Sequence, residues 1–332
     1  MSKRLYEEST VLTLGAKGSF DGERFELVGR TCLRGESGAL WNEWAMRFDK
    51  GKTRWLAEAR GDFVVYEEDE SIFGSAEALV VDVPINFIVV ERGEATRVAT
   101  WGDVPDLPKR HRFADIVGPA GWPVTIDWTN EGSHTFAGTK TTLAELGLKA
   151  RKGQRRLPAA PEVVRPKSVT TWLDVGDEGV LSGRGRFRVA GILGRSIKID
   201  GEKFGWVEYF LDSAEDGFRW LSESDGHWSF VTPIDPVSAR AELSKPKVQQ
   251  YSSGTARIEW AHGELPWAVE IGETVEVSDW LGPTAMVSRE AAPDEVSYSL
   301  VEWIAPEAIA KGFSKRSLPK PVGRAPHQPR KR

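Results

Sequence analysis

Apolar and polar residues alternate along this chain far more often than they repeat with helical spacing. RFELVG (24–29) and RFRVAG (186–191) alternate and end in glycine. WNEWAMRF (41–48) and WVEYFLDS (206–213) are aromatic runs of period two. TRWLAEA (53–59) and FRWLSES (218–224) follow the charged turns DKGK and SAEDG, and GDFVVYEE (61–68) and HWSFVTPI (227–234) come next. The pattern predicts an antiparallel meander of short strands. Successive side chains of a strand point to opposite faces. Trp41, Glu43 and Ala45 therefore share one face, and Asn42, Trp44 and Met46 the other. Trp206, Glu208 and Phe210 share a face in the same way, which puts Glu43 and Glu208 beside aromatic rings.

The strands come in two sets. At an offset of 165, Trp41 falls on Trp206, Glu43 on Glu208, Trp44 on Tyr209 and Arg54 on Arg219. Trp55 falls on Trp220, Glu58 on Glu223, Gly61 on Gly226 and Phe63 on Trp228. With small gaps the match extends from GSFDGERFELVG against GVLSGRGRFRVAG to ADIVGP (114–119) against SDWLGP (278–283). A repeat of roughly 140 residues is a duplicated domain rather than a solenoid unit. Each copy ends in a short helical pattern. TTLAELGL has capping-box spacing from Thr142 to Glu145. APEAIAKGF has Pro306 suited to the first helical position and Gly312 to a stop. The expected fold is all-β and mainly antiparallel: two tandem β-barrels or sandwiches, each closed by a short helix. Expected boundaries are 8–148 for the first domain, 149–168 for a basic Pro-containing linker, 169–314 for the second domain and 315–332 for a basic disordered tail.

Charge sharpens this division. Lys149–Ser168 holds seven Lys or Arg and one acid, and Lys311–Arg332 holds eight and none. Setting these 15 bases and one acid aside leaves 29 of 44 bases against 48 of 49 acids, a net charge of −19. Acidic bodies repel phosphate backbones, which argues against nucleic acid as a partner of the domains. The basic segments suit an anionic membrane surface or a protein partner. The 14 Trp supply large anchors for two cores. A lone Cys32 excludes an intrachain disulfide and fits a reducing compartment. MSKRLYEESTVLTL has no signal-peptide pattern, and no apolar run approaches a membrane span, so the cytoplasm is the expected location.

The second copy resembles a bacterial family known as domain of unknown function 4178. The resemblance rests on Gly205, Trp206, Glu208, Tyr209 and Leu211, then on RWL, ESDG-W and the closing run GPTAMVSREAAPDEVSYSLVEWIAPEAIAKGF. The first copy is more diverged and carries PVTIDWTNEGSHTF in place of the SREA-x-x-DEV element. The resemblance implies a β-rich fold and no established activity. It also implies an accessory role, since family members are associated with small membrane proteins and with membrane-stress or polyamine-related proteins. Some members add a zinc ribbon; this chain has no CxxC.

Few residues suggest chemistry. Glu43 with Glu58, and Glu208 with Glu223, are acid–base candidates if neighbouring strands bring them together. Otherwise they are structural acceptors for Trp N–H or for Arg54 and Arg219. His227 beside Asp225 has no histidine at its counterpart, Asp62, and reads as a turn; His262 reads as a loop residue. Five scattered His and one Cys give no zinc spacing, so neither metal nor cofactor is expected. Ser288, Arg289, Glu290, Asp294 and Glu295 form a polar element specific to the second copy. The resulting expectation is a non-enzymatic accessory protein that binds an unidentified protein partner. Its alternative is a small cationic, polyamine-like ligand, or weak catalysis, in a second-domain pocket of Trp206, Glu208, Trp220, Glu223, Trp228 and Glu290. The counterparts Trp41, Glu43, Trp55, Glu58 and Phe63 are expected in the repeated core.

Overall fold

The computed structural model describes residues 3–73, 86–105, 108–130, 132–161, 166–315 and 317–328. The chain divides into Met1–Pro158 and Ala159–Arg332.

In the first unit, helix α1 (Lys3–Glu8) precedes β1 (Lys17–Phe20), β2 (Glu23–Arg34), β3 (Leu40–Phe48), β4 (Thr53–Ala59), β5 (Asp62–Glu68), β6 (Ile88–Gly102), β7 (Arg110–Val117), β8 (Pro123–Thr129) and β9 (Gly132–Thr141). The second unit repeats this with β10 (Glu178–Leu181), β11 (Gly185–Ile199), β12 (Glu202–Ser213), β13 (Gly217–Ser224), β14 (His227–Ile234), β15 (Gln249–Gly263), β16 (Thr274–Leu281), β17 (Met286–Ala291) and β18 (Val296–Ile304). Helix α2 (Pro236–Leu243) follows β14, and α3 (Pro306–Gly312) ends the unit.

Both sheets have one strand order. The first runs β1-β2-β3-β4-β5-β9-β8-β7-β6 and closes through β2–β6; the second runs β10-β11-β12-β13-β14-β18-β17-β16-β15 and closes through β11–β15. Each unit is thus a closed barrel of eight antiparallel strands with one short strand added, and closure leaves few unpaired edges. The expected all-β fold holds, as a barrel. The predicted meanders are β3-β4-β5 and β12-β13-β14.

The seam explains a repeated glycine. A Cβ on Gly29 would stand 2.2 Å from the Asp103 carbonyl oxygen, and one on Gly191 2.3 Å from that of Glu264. Strands can cross this closely only where a side chain is missing. Each unit also ends in a short helical element. The first is a single turn at 142–147, where the Thr142 Oγ1 and Glu145 carboxylate cap each other as a box. The second is α3, whose Ile309 and following Phe313 join the core of Leu173, Phe187, Val189, Tyr209, Leu221, Trp228 and Phe230.

That core lies on the outer face of the strands. In the second unit Arg195 on β11 touches Glu290 on β17, three strands away round the sheet through β15 and β16. Such a contact can only cross the inside of the barrel. Arg195 and Glu208 therefore face inward, and their alternate neighbours Val207, Tyr209 and Leu211 face outward beneath α3. In the first unit the same alternation turns Trp44 and Met46 outward, both fully buried, and Glu43 inward.

The basic segments pack on their own units over the described residues. Arg151 donates to the carbonyls of Thr10 (2.7 Å) and Glu8 (3.0 Å), Arg155 meets Glu58 at 3.5 Å, and Leu157 is buried. In the tail, Leu318 packs on the second core. The Val322 amide donates to the Asp225 carbonyl (3.0 Å), and the Val322 carbonyl accepts from His227 Nε2 (2.9 Å). His327, 8% exposed, shares a hydrogen bond with Ser229 (2.8 Å). Over residues 317–328 the tail lies against the second unit, where Leu318, like the buried Leu157, supplies an apolar anchor. The linker residues 162–165, and in the tail Arg316 and 329–332, lie outside the described residues. Among the described residues no helix is long and apolar enough to cross a membrane.

Candidate functional site: the charged interiors of the two barrels

Register superposes the two interiors residue by residue. Trp41 and Trp206 each stand two residues before an inward glutamate, Glu43 or Glu208. In each barrel the indole donates to that glutamate: Trp41 Nε1 to Glu43 Oε1 at 3.3 Å, and Trp206 Nε1 to Glu208 Oε1 at 2.6 Å. Asp115 on β7 pairs with Thr125, two residues before Asp127; Asp279 on β16 pairs with Ser288, two before Glu290. Each barrel therefore directs three carboxylates inward from equivalent positions: Glu43, Asp115 and Asp127 in the first, Glu208, Asp279 and Glu290 in the second.

One further equivalent position differs in kind. Arg195 pairs with Trp206 on β12 and with Ile258 on β15. Leu33 pairs with Trp41 on β3 and with Arg97 on β6. Both follow a register shift at the seam, so Leu33 occupies the place of Arg195. The second barrel thus carries its own cation. Arg195 Nη1 lies 2.6 Å from Glu290 Oε1 and 3.5 Å from Glu208 Oε1, and its guanidinium lies 5.6 Å from the Trp206 ring centre. Burial works against the guanidinium's charge, but Glu208 and Glu290 outweigh it and raise its pKa. Burial lifts the Glu208 carboxyl above its ordinary value and Arg195 pulls it back. Asp279, lifted chiefly by burial, accepts from Ser252 Oγ at 2.7 Å.

The first barrel has the acids and a leucine in the place of Arg195, with Arg97 opposite that leucine on the same face. Among the described residues no Arg or Lys pairs with Glu43 or Asp127. Burial, with Asp115 beside it, pushes the Glu43 carboxyl up to about 7. Burial and then Glu43 and Asp115 push Asp127 well above the usual carboxylate range. Burial lowers the His111 imidazole, whose Nε2 is 3.7 Å from Asp127 Oδ1, too far for a hydrogen bond. The Tyr66 phenol is raised by burial and by these same acids. Beside them Leu33, Ala95, Phe113 and Trp41 form an apolar wall, with the Trp41 and Phe113 rings 5.5 Å apart.

The remaining predicted residues are elsewhere. Glu58 pairs with Asn42, and Ala57 with Glu43, so Glu58 and Glu43 lie on opposite faces of the sheet. Glu223 pairs with Val207 and Glu208 with Ser222, with the same consequence. Neither pair can act as acid and base, because the sheet stands between them. Glu58 faces outward and accepts from Thr10 Oγ1, the Val11 amide (2.8 Å) and Trp44 Nε1 (3.3 Å). Glu223 accepts from the Gly226 amide at 2.8 Å. Phe63 and Trp228 are outward core residues, and the Trp228 ring stacks on Tyr209 at 5.3 Å. Of the expected second-domain pocket, Trp206, Glu208, Glu290 and Trp220 share the interior, while Glu223 and Trp228 do not. Trp220 packs on Phe210 and Trp267, and Trp55 is its inward counterpart.

Sequence reasoning overlooked Asp115, Asp127, Asp279 and Arg195. The match of ADIVGP to SDWLGP already aligned Asp115 with Asp279; only closure of the barrel shows that they face the glutamates. Among the described residues, the group of three or more His, Cys or acid side chains with ligand atoms all within 4.8 Å of one another is Glu68, Glu70 and His134, with both acids exposed.

Fold and interior together define a tandem pair of closed eight-stranded barrels with charged insides. Residues 174–306, from the residues before β10 to the start of α3, match the family model described as Domain of unknown function (DUF4178), so the second barrel is the part of the chain this family recognises; the first barrel gives no match to it. Comparison with curated proteins and with solved structures finds no match.

Proposed function

We propose that the chain is a non-catalytic accessory protein of the cytoplasm that acts by binding, with its two barrels as paired recognition modules. The observation that carries this reading is the pair of matching charged interiors. Buried carboxylates oppose folding unless they are compensated. Two domains that otherwise differ widely both direct three of them inward, where an eight-stranded barrel has room for side chains or one small ligand. An inner face of this kind serves recognition of charge better than it serves a core. The buried Cys32 thiol fits a reducing compartment.

The basic segments enter this reading less than their charge suggests, since Arg151, Arg155 and His327 are engaged on their own units. Exposed bases such as Lys152 and Lys320 leave an anionic surface as a second partner. That contact predicts cosedimentation with phosphatidylserine vesicles that weakens as salt rises.

The test is affinity purification of the tagged full chain from its native cells, followed by native mass spectrometry. A reproducible bound protein or small molecule supports the reading. A chain recovered alone and unliganded from every growth condition contradicts it.

A further inference from the structure

We propose that residues 317–328 form a pH-released strap: they cross the rim of the second barrel, seat His327 against its inner face at neutral pH, and let go as that histidine takes up a proton. The inference goes beyond the binding role proposed above and does not depend on it.

The contacts of the strap fix its path. Leu318 packs on the outer core, the face that holds Trp228 and Phe230. The chain then passes the turn between β13 and β14, where a Cβ on Gly226 would stand 2.7 Å from the Lys320 carbonyl oxygen. The Val322 amide donates to the Asp225 carbonyl (3.0 Å), and its carbonyl accepts from His227 Nε2 (2.9 Å). Ala325 is buried, and His327 Nε2 reaches Ser229 Oγ at 2.8 Å. Ser229 lies between Trp228 and Phe230 on β14, so its side chain takes the opposite face, towards the inside. Register agrees: Ser229 pairs with Ser222 and Ser222 with the inward Glu208. The strap therefore starts outside the barrel wall and ends inside it.

The chain's comparison with itself marks the anchors as a feature of the second copy. At the offset of 165, His227 and Ser229 fall on Asp62 and Val64. The first barrel offers neither an imidazole nor a hydroxyl at those places. The segment that follows it sets Arg155 on the outward Glu58 instead.

The seat suits a neutral ring and no other. His327 is buried, and its partner is an uncharged hydroxyl. From β18, Trp303 pairs with Ser229 and brings no charge; from β13, Ser222 and Ser224 bring none. From β14 the group that acts on His327 is His227, itself a potential cation. The acids Glu223 and Asp225 lie beside His227. On the strap the charged groups are Lys320 and Arg324, the latter donating to the Gln328 carbonyl. Among the described residues no carboxylate pairs with His327. An imidazolium there is a buried charge without a counter-ion. His227 Nε2 donates to Val322, which leaves its Nδ1 buried and without a partner.

Burial, and after it His227, lower the His327 imidazole below its ordinary 6.5. A released strap returns the ring to water, where it titrates at the ordinary value. Seating is therefore complete above about pH 6.5 and weakens as pH falls from there towards the seated value. At pH 5.5 a free imidazole is about ten to one protonated, so the seated fraction relative to the released one falls by up to about tenfold.

Hydrogen–deuterium exchange of the full chain, read by NMR at pH 7.5 and 5.5 and corrected for the intrinsic effect of pH, tests the proposal. The Val322 amide should be protected at pH 7.5 and lose several-fold to about tenfold of that protection at pH 5.5, while the β14 amides keep theirs. In H327Q, whose side chain stays neutral, protection should be equal at the two values. If H327Q leaves the strap unseated at both, the His327 ring itself decides by proton NMR. It should titrate below its ordinary value in the full chain and return to that value in L318D, which uproots the strap. Equal protection of the wild-type strap at both pH values overturns the proposal, as does an unprotected Val322 at pH 7.5. A wild-type pH dependence that persists in H327Q, or a His327 ring that titrates at its ordinary value in the full chain, overturns it too.

Discussion

Glu43 and Glu208 show how one residue type is governed by its partner. Glu43 is held up to about 7 by burial and Asp115. Its folded value lies above the ordinary 4.5, so the unfolded chain releases this proton first as pH rises. Stability contributed at this site therefore declines from about pH 4.5 through about pH 7. Glu43→Gln should remove the decline and raise stability at pH 8 by on the order of 2 kcal/mol, with little change at pH 4.5. Thermal melts of both proteins at the two pH values check this; equal shifts at both would contradict it. In the second barrel the balance is reversed, because Arg195 and its acids are a buried pair. Arg195→Leu leaves Glu208 and Glu290 uncompensated and should cost about 3–5 kcal/mol at pH 8. The cost should shrink at pH 5, where the Glu208 carboxyl, raised by burial, can take up a proton. A denaturant melt that finds the same cost at both values would refute the pairing.

Individual elements carry two further expectations. At the seam, Gly191→Ala drives a methyl into the Glu264 carbonyl and should destabilise the second barrel by about 1–3 kcal/mol, with Gly29→Ala acting likewise on the first. Urea denaturation decides. Deleting residues 317–332 uncovers the core beside Leu318 and removes the His327 contact, so the second unit should lose on the order of 1–3 kcal/mol. A truncated chain that melts like the full one would mean the tail is a free arm. Strand positions, the duplication and the closing helical elements were legible in the sequence because period-two alternation and turn residues act locally. The contacts of the tail were not legible because its bases dominate its composition, while the contacts rest on one leucine, a backbone pair and a histidine. Which face each repeated acid takes was not legible: Glu43 and Glu58 lie on adjacent strands, but a register offset of one residue puts them on opposite faces, and Glu58 serves as the structural acceptor of the Trp44 indole.

For the molecule as a whole, one architecture has been used with two internal electrostatic solutions. The second barrel neutralises its inner acids with its own arginine. The first has a leucine at the equivalent place with Arg97 opposite it, and burial holds the Glu43 and Asp127 carboxyls above their ordinary range. None of this is visible as a motif, because Leu33, Glu43, Asp115 and Asp127 come from four strands and meet only when the sheet closes. Carboxyl-carbon NMR of the full chain, followed through a pH titration in the wild type and in L33R, addresses this contrast directly. The Glu43 signal should titrate near 7 in the wild type and move well below that when the first barrel is given the second barrel's arginine. A wild-type midpoint near 4.5, unmoved by L33R, would contradict the placement of Glu43 in the interior and with it the equivalence of the two barrels.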